Sequence, residues 1–173
     1  MNRRKAVTAL AAAAIAARPA RADGPTIAIY LKRWRTAKKF TLMVAEAMPA
    51  EHYDFKPTPE MRGFGDLMAH MSGANPRYYA RIKGTPSPFK DPPNPDKATT
   101  LKYMADTFDW TIQVLEGLTE DDLAKSYPGT GNQPALTGRD LVLNGFIHTA
   151  HHRAYAEPYL RLKGIAPPRY EVF

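Results

Sequence analysis

GTPSPFKDPPNPDKA, residues 84–98, carries five prolines in 15 positions and decides how the helices on either side of it can be arranged. Proline fixes φ and lacks an amide donor, so a run this dense excludes regular helix or strand. Extended, the segment reaches roughly 45 Å, further than the roughly 30 Å of a helix of about 20 residues. It can therefore carry the chain back along the whole length of a helix. Antiparallel neighbours need only a short turn, so a connection this long leaves the second and third helices free to run parallel.

Outward from this segment the chain reads as helix almost throughout, and no run alternates convincingly as a strand. From Thr26 to about Met48, Ile27, Tyr30, Leu31, Trp34, Ala37, Leu42, Ala45 and Met48 form one stripe with Lys and Arg opposite, and Pro49 closes it. The second helix is expected from about Gly65 to Lys83, kinked at Pro76. A third, Thr99 to Leu118, buries Tyr103, Met104, Phe108, Ile112, Leu115 and Leu118. After TEDDLAKSYPGTGNQPALTG, residues 119–138 and read as a loop, a fourth runs from Gly138 or Arg139 to Lys163 and is ended by Gly164 and Pro167-Pro168. The expected fold is all-α, a four-helix bundle in a single domain.

The first 22 residues read as an address label. Arg3, Arg4 and Lys5 precede an apolar stretch from Ala6 to Ala17, and Ala20-Arg21-Ala22 offers a small-x-small cleavage site after Ala22. Twelve apolar residues are too few for a transmembrane anchor. The leader suits Sec or Tat export equally, leaving a mature domain of residues 23–173 that is periplasmic or otherwise exported. It also takes five of the 24 basic residues and no acidic one, so 19 basic residues face 17 acidic ones and the net charge falls from +7 to +2. That removes the electrostatic case for a nucleic-acid partner. There is no cysteine, which excludes disulfides, thiolate nucleophiles and Cys-ligated metals. A metal in this chain must be held by nitrogen and oxygen.

Three of the five histidines fall in FIHTAHHRAYAEPYL, residues 146–160. His148 and His152 are four apart, so they stack on one helix face, about 6 Å apart at Cβ, where two imidazoles can share an ion. Leu141, Asn144, Gly145, Tyr155, Ala156 and Tyr159 share that face while Arg139, Arg153 and Arg161 lie mostly elsewhere, which turns the pair toward the bundle interior. His70, among Leu67, Met68, Met71 and Ala74 of the second helix, is the third inward imidazole. Three ligands from two helices leave coordination positions open, the arrangement of a catalytic rather than a structural site. His151, turned away from His148, is expected at a seam or in solvent. Asp66 and Asn144 each lie one turn before a ligand and are candidates to orient it, beside plain capping or surface roles. Tyr78, Tyr79, Tyr155 and Tyr159 are read first as core, with Trp34 and Trp110, and Glu157 does not stand in a metalloprotease spacing.

EHYDFKPTPEMRGFGDLMAHMSGAN, residues 51–75, resembles the first-helix exit and second helix of the DinB/YfiT-like superfamily. FIHTAHHRAYAEPYLRLKGIAPPRY, residues 146–170, is similar to that family's closing helix. The resemblance covers nearly all of residues 26–170. It implies a four-helix bundle with helices two and three parallel, a metal triad at His70, His148 and His152, and a divalent ion such as zinc, nickel or iron. Some members of that family are thiol-dependent transferases or isomerases. Where the family commonly has Gly-Gln after His-His-Arg, this chain has Ala154-Tyr155, so a glutamine's part in orienting a ligand is lost or replaced. Export also sits poorly with thiols that are mainly cytosolic.

Together these features point to a metal-dependent enzyme acting on an unidentified small molecule, with hydrolysis ahead of thiol transfer. The competing expectation is a non-enzymatic periplasmic bundle that binds or senses a metal, and a third is a helical interaction module without an ion. No nucleic acid and, once the leader is removed, no membrane is expected as a partner. A homodimer is compatible with the sequence.

Overall fold

The computed structural model describes residues 24–93 and 95–170; the expected leader, residues 1–22, lies outside them. The four long helices are α1 (Pro25–Ala47), α2 (Phe64–Lys83), α3 (Lys97–Glu116) and α5 (Gly138–Leu162), with a single-turn helix, α4 (Glu120–Ala124), between the last two. Among the described residues no helix is long and apolar enough to cross a membrane.

Local chemistry sets the helix ends. Pro25 occupies the first turn of α1, where a missing amide is harmless, and Pro49 holds Met48 extended so that the helix stops. Gly84, with φ +66°, takes the left-handed conformation that closes α2. The Asp96 carboxylate accepts the Thr99 amide at 2.7 Å to start α3. Reciprocal Thr-x-x-Asp boxes, Thr119 with Asp122 and Thr137 with Asp140, start α4 and α5. Both Pro76 and Pro158 lie inside helices that continue past them.

Residues 119–138 differ from the simple loop expected of them. The Thr119–Asp122 box nucleates α4, and a two-residue antiparallel ladder pairs β1 (Ser126–Tyr127) with β2 (Leu136–Thr137). Buried Leu123 and Tyr127 pin this segment to the core, and the Tyr127 hydroxyl donates to the Asp122 carbonyl.

Specific contacts fix the helix directions. A Cβ on Gly65, at the start of α2, would collide with the Pro95 carbonyl just before α3, so α2 and α3 begin at the same end. They run parallel, and the proline-rich crossover spans the length between them. Arg35 pairs with Glu116, and Lys97 donates to the Glu46 carbonyl, so α1 is antiparallel to α3. Trp34 meets Phe146, and Arg153 meets Thr41, so α1 and α5 run the same way. Around the ring the order is α1, α3, α2, α5.

Two apolar clusters fill the interior. One gathers Phe40, Met48, Tyr53, Phe64, Met68, Met71, Met104 and Tyr159; the other is built on Trp34, Tyr79, Phe108, Leu115 and Leu141. Trp34 is central to the second, with ring centroids 5.7 Å from Tyr79, 5.8 Å from Phe108 and 6.0 Å from Phe146. Truncating a buried aromatic of this size typically costs about 3–5 kcal/mol. Buried hydroxyls are satisfied locally: Thr41, Thr111 and Ser72 each donate to the carbonyl four residues back.

Candidate metal centre

The α2–α5 seam holds the three histidines. The two helices lie antiparallel: Phe64 and the Arg62 carbonyl sit against Tyr159, and Asn75 accepts a hydrogen bond from the Thr149 hydroxyl at 3.1 Å. Between these anchors His70 faces α5, one turn from buried Leu67 and Ala74, and His148 and His152 face it from consecutive turns. Ring centroids are 5.5 Å apart for His70 and His148, 5.0 Å for His70 and His152, and 4.3 Å for His148 and His152. One ring nitrogen from each can be chosen so that all three lie within 4.8 Å of one another. A tetrahedral zinc site, with bonds of about 2.1 Å, holds its donors about 3.4 Å apart, so small side-chain rotations are enough to close the set.

The electrostatics favour ligation. Burial, and after it the neighbouring imidazoles His152 and His70, push the His148 imidazole down to about 4. Burial followed by His70 and His151 does the same for His152, also to about 4, and burial with Arg62 and Arg77 lowers His70. All three are neutral at physiological pH, the form that binds a metal. Nδ1 of His148 is buried with no hydrogen-bond partner among the described residues, an orphan that a metal or a water would satisfy. Imidazole nitrogen, with no thiolate available, suits zinc, nickel or iron rather than calcium or magnesium.

All three side chains are half-buried, so they stand at the seam rather than in the apolar interior toward which the helix pattern turned them. On one side His70 and His148 border an open cleft of about 430 Å³, lined also by Arg77, Tyr78, Arg81 and Ser87 from α2 and the crossover, and by Thr130 and Gln133. On the other, His152 borders a smaller hollow of about 160 Å³ with Arg62, His151, Tyr155 and Tyr159. His151 is exposed, its ring 5.0 Å from that of His152.

The remaining sequence candidates separate. Asp66 lines a different cavity with Tyr53, Gly63 and Asp96, and no hydrogen bond joins Asp66 or Asn144 to the triad. Tyr78 is beside His148 at 6.3 Å, whereas Tyr79 and Tyr159 are core residues and Tyr155 is exposed on α5. Arg153, expected to point away from the interior, is instead buried: it donates to the Thr41 hydroxyl and stacks 4.6 Å from the Phe40 ring on the α1–α5 seam. Its aliphatic stem and planar head let an arginine cover apolar surface.

Sequence reasoning missed the arginines. Arg77 and Arg81 follow His70 by seven and eleven residues, helical spacings that return to the same face, and this was the signal available. Arg62 precedes the helix and could not have been placed by periodicity.

Comparison with known proteins agrees with this fold. The sequence model of the DinB superfamily matches residues 33–156. An uncharacterised Bacillus subtilis (strain 168) protein, YjoA, is 28% identical over 130 residues, covering 73% of this chain and 84% of YjoA. The fold is similar to that of a DinB-like protein from Bacillus cereus ATCC 10987, with a TM-score of 0.72 at 17% identity, over 82% of this chain and 95% of that one. The crystal structure of B. subtilis YjoA, itself described as DinB-like, gives 0.70 at 22% identity, over 82% and 96%. The family match includes all three histidines, and the chain belongs to the DinB superfamily.

Proposed function

We propose that this protein is an exported metal-dependent enzyme in which His70, His148 and His152 hold one divalent ion, zinc, nickel or iron, with coordination positions left for a substrate. The observation that carries the reading is the convergence of three ring nitrogens to within 4.8 Å at the edge of an open cleft of about 430 Å³. A bound divalent ion supplies Lewis acidity, which serves hydrolysis or activation of a substrate nucleophile. Tyr78 and Ser87 bring hydroxyls to the same cleft, and the neutral imidazoles keep the donors free of competing protons. Hydrolysis is favoured over thiol transfer, because an exported protein is separated from cytosolic thiols; the leader at residues 1–22 supports export.

The test is metal analysis of untagged protein, wild type against His148→Ala, followed by assay of both on ester, phosphoester and thiol-transfer substrates. The reading expects one divalent ion per chain in the wild type, none in the variant, and turnover lost with the ion. Absence of a stoichiometric ion from the wild type under metal-replete conditions would refute it. A second reading, a periplasmic bundle that binds or senses metal without turnover, draws support from the absence, among the described residues, of any Asp or Glu lining either cleft. Stoichiometric metal without activity on any of these substrates would favour it.

A further inference from the structure

The charge around the triad is mainly positive, with Asp91 as the smaller opposing influence on His70. Three neutral imidazoles leave a divalent ion with its full charge, and among the described residues no aspartate or glutamate lines either adjoining cleft. Arg77 stands in the larger cleft and Arg62 in the smaller, both near enough to lower His70, while Asp91, behind Arg77, acts on it more weakly in the opposite sense. A half-buried cation without a compensating carboxylate attracts an anion from solution.

Arg77 is the group best placed to meet that anion. Among the described residues its one ion pair is a single contact at 3.2 Å from Nη1 to Asp91, with both side chains substantially exposed. Such a pair is weak, and it leaves most of the five guanidinium donors unused. Asp91 is also held elsewhere, accepting the Tyr103 hydroxyl at 2.8 Å. Arg81, one turn further along α2, has a different task. It donates to the Pro128 and Pro134 carbonyls at 2.8 and 3.1 Å and to the Gln133 side chain at 3.1 Å, tying the 128–134 segment down as the far wall of the cleft. That wall and the crossover contribute uncharged donors and acceptors: Ser87, Thr85, Thr130 and Gln133.

We propose that the larger cleft takes a small organic oxyanion, a carboxylate or a phosphate ester, whose negative charge is met jointly by the ion on the triad and by the Arg77 guanidinium. This rests on the metal reading above. A cleft of about 430 Å³ lies within the range of small-molecule sites and matches a compact acid rather than a polymer.

The experiment loads the full-length mature protein with cobalt(II) and titrates it with succinate, inorganic phosphate and the uncharged succinamide. Binding is followed by calorimetry and by the visible absorption of the cobalt. At least one oxyanion should bind and shift the cobalt bands, with succinamide about tenfold weaker or more. Tighter phosphate than succinate assigns a phosphoryl substrate, and the reverse assigns a carboxylate. Arg77→Gln should weaken the oxyanion about tenfold while leaving cobalt affinity unchanged. Asp91→Asn, which releases Arg77 and keeps an acceptor for Tyr103, should tighten it, an effect opposite in sign to any folding defect. Equal binding of succinamide and succinate, or oxyanion affinity indifferent to both substitutions, overturns the proposal and leaves the metal reading standing. Failure to take up cobalt at all overturns both.

Discussion

The α1–α3 seam and the α2–α5 seam are built from the same kind of helix and end in opposite electrostatic states. Along α1–α3 the charges are settled within the chain: Arg35 with Glu116 at 2.7 Å, Lys38 with Asp109, and Lys97 with Glu46 at 3.5 Å, while buried Thr107 and Thr111 bond to their own helix. Along α2–α5 three imidazoles face one another, and among the described residues no carboxylate joins them and Nδ1 of His148 is buried without a partner. Along the first seam these ionic charges are paired within the chain. In the second, burial and mutual repulsion hold His148 and His152 down to about 4, so these imidazoles stay neutral at neutral pH and their ring nitrogens are available to a ligand.

The sharpest way to break this contrast is to remove one donor. His70→Ala leaves two ligands on α5 alone, and metal affinity measured by competition with a chromophoric chelator should fall by more than about a hundredfold, beyond the loss that outer-shell changes cause. An unchanged affinity would mean that the ion, if any, sits elsewhere.

Metal itself should close the open seam. At a free concentration 100 times its dissociation constant, an ion that binds only the folded chain adds about 2.7 kcal/mol, roughly 5–10 °C in Tm for a domain of this size. A chelator should reverse the gain. Identical melting curves with and without metal would put α2–α5 on the same footing as α1–α3.

A smaller effect should appear in the metal-free protein as a function of pH. His148 and His152 titrate at about 4 in the fold against 6.5 in the unfolded chain, so on acidification the unfolded chain takes up protons first. Stability is complete above 6.5 and is lost progressively as the pH falls toward about 4. Urea midpoints across that window should decline, and His148→Gln should flatten the decline. A flat wild-type profile would contradict the desolvation of these rings.

The smallest effect belongs to the satisfied seam. Arg35→Ala removes an exposed ion pair and should cost only about 0.2–1 kcal/mol, with metal affinity unaltered. A larger loss, or any change in metal binding, would blur the distinction between the two seams.

What the sequence made legible follows the physics of each signal. Helix periodicity located the long helices to within a few residues, because their apolar stripes are uninterrupted and Pro49, Gly84 and Gly164 end them sharply. The reach of the crossover left the second and third helices free to run parallel, and the family resemblance implied that they do. The short helix α4 and the β1–β2 ladder escaped, since five- and two-residue elements carry no period and exist through Tyr127, Leu123 and a capping box. At the site, the four-residue spacing of His148 and His152 was readable, and His70 joined them through its apolar flanks. Burial of Arg153 was not readable, because a charged residue beside the stripe scores as surface unless its stacking on Phe40 is seen. Arg62 lies outside any helix and entered the picture only when α2 and α5 were packed together.

Anomalous diffraction from crystals of the untagged, zinc-loaded protein, collected on both sides of the zinc edge, tests most directly whether three imidazoles share one ion. A single peak per chain is expected on the α2–α5 seam, about 2.1 Å from one nitrogen each of His70, His148 and His152. No peak there, or a peak ligated by His151 with His70 turned to solvent, would contradict it.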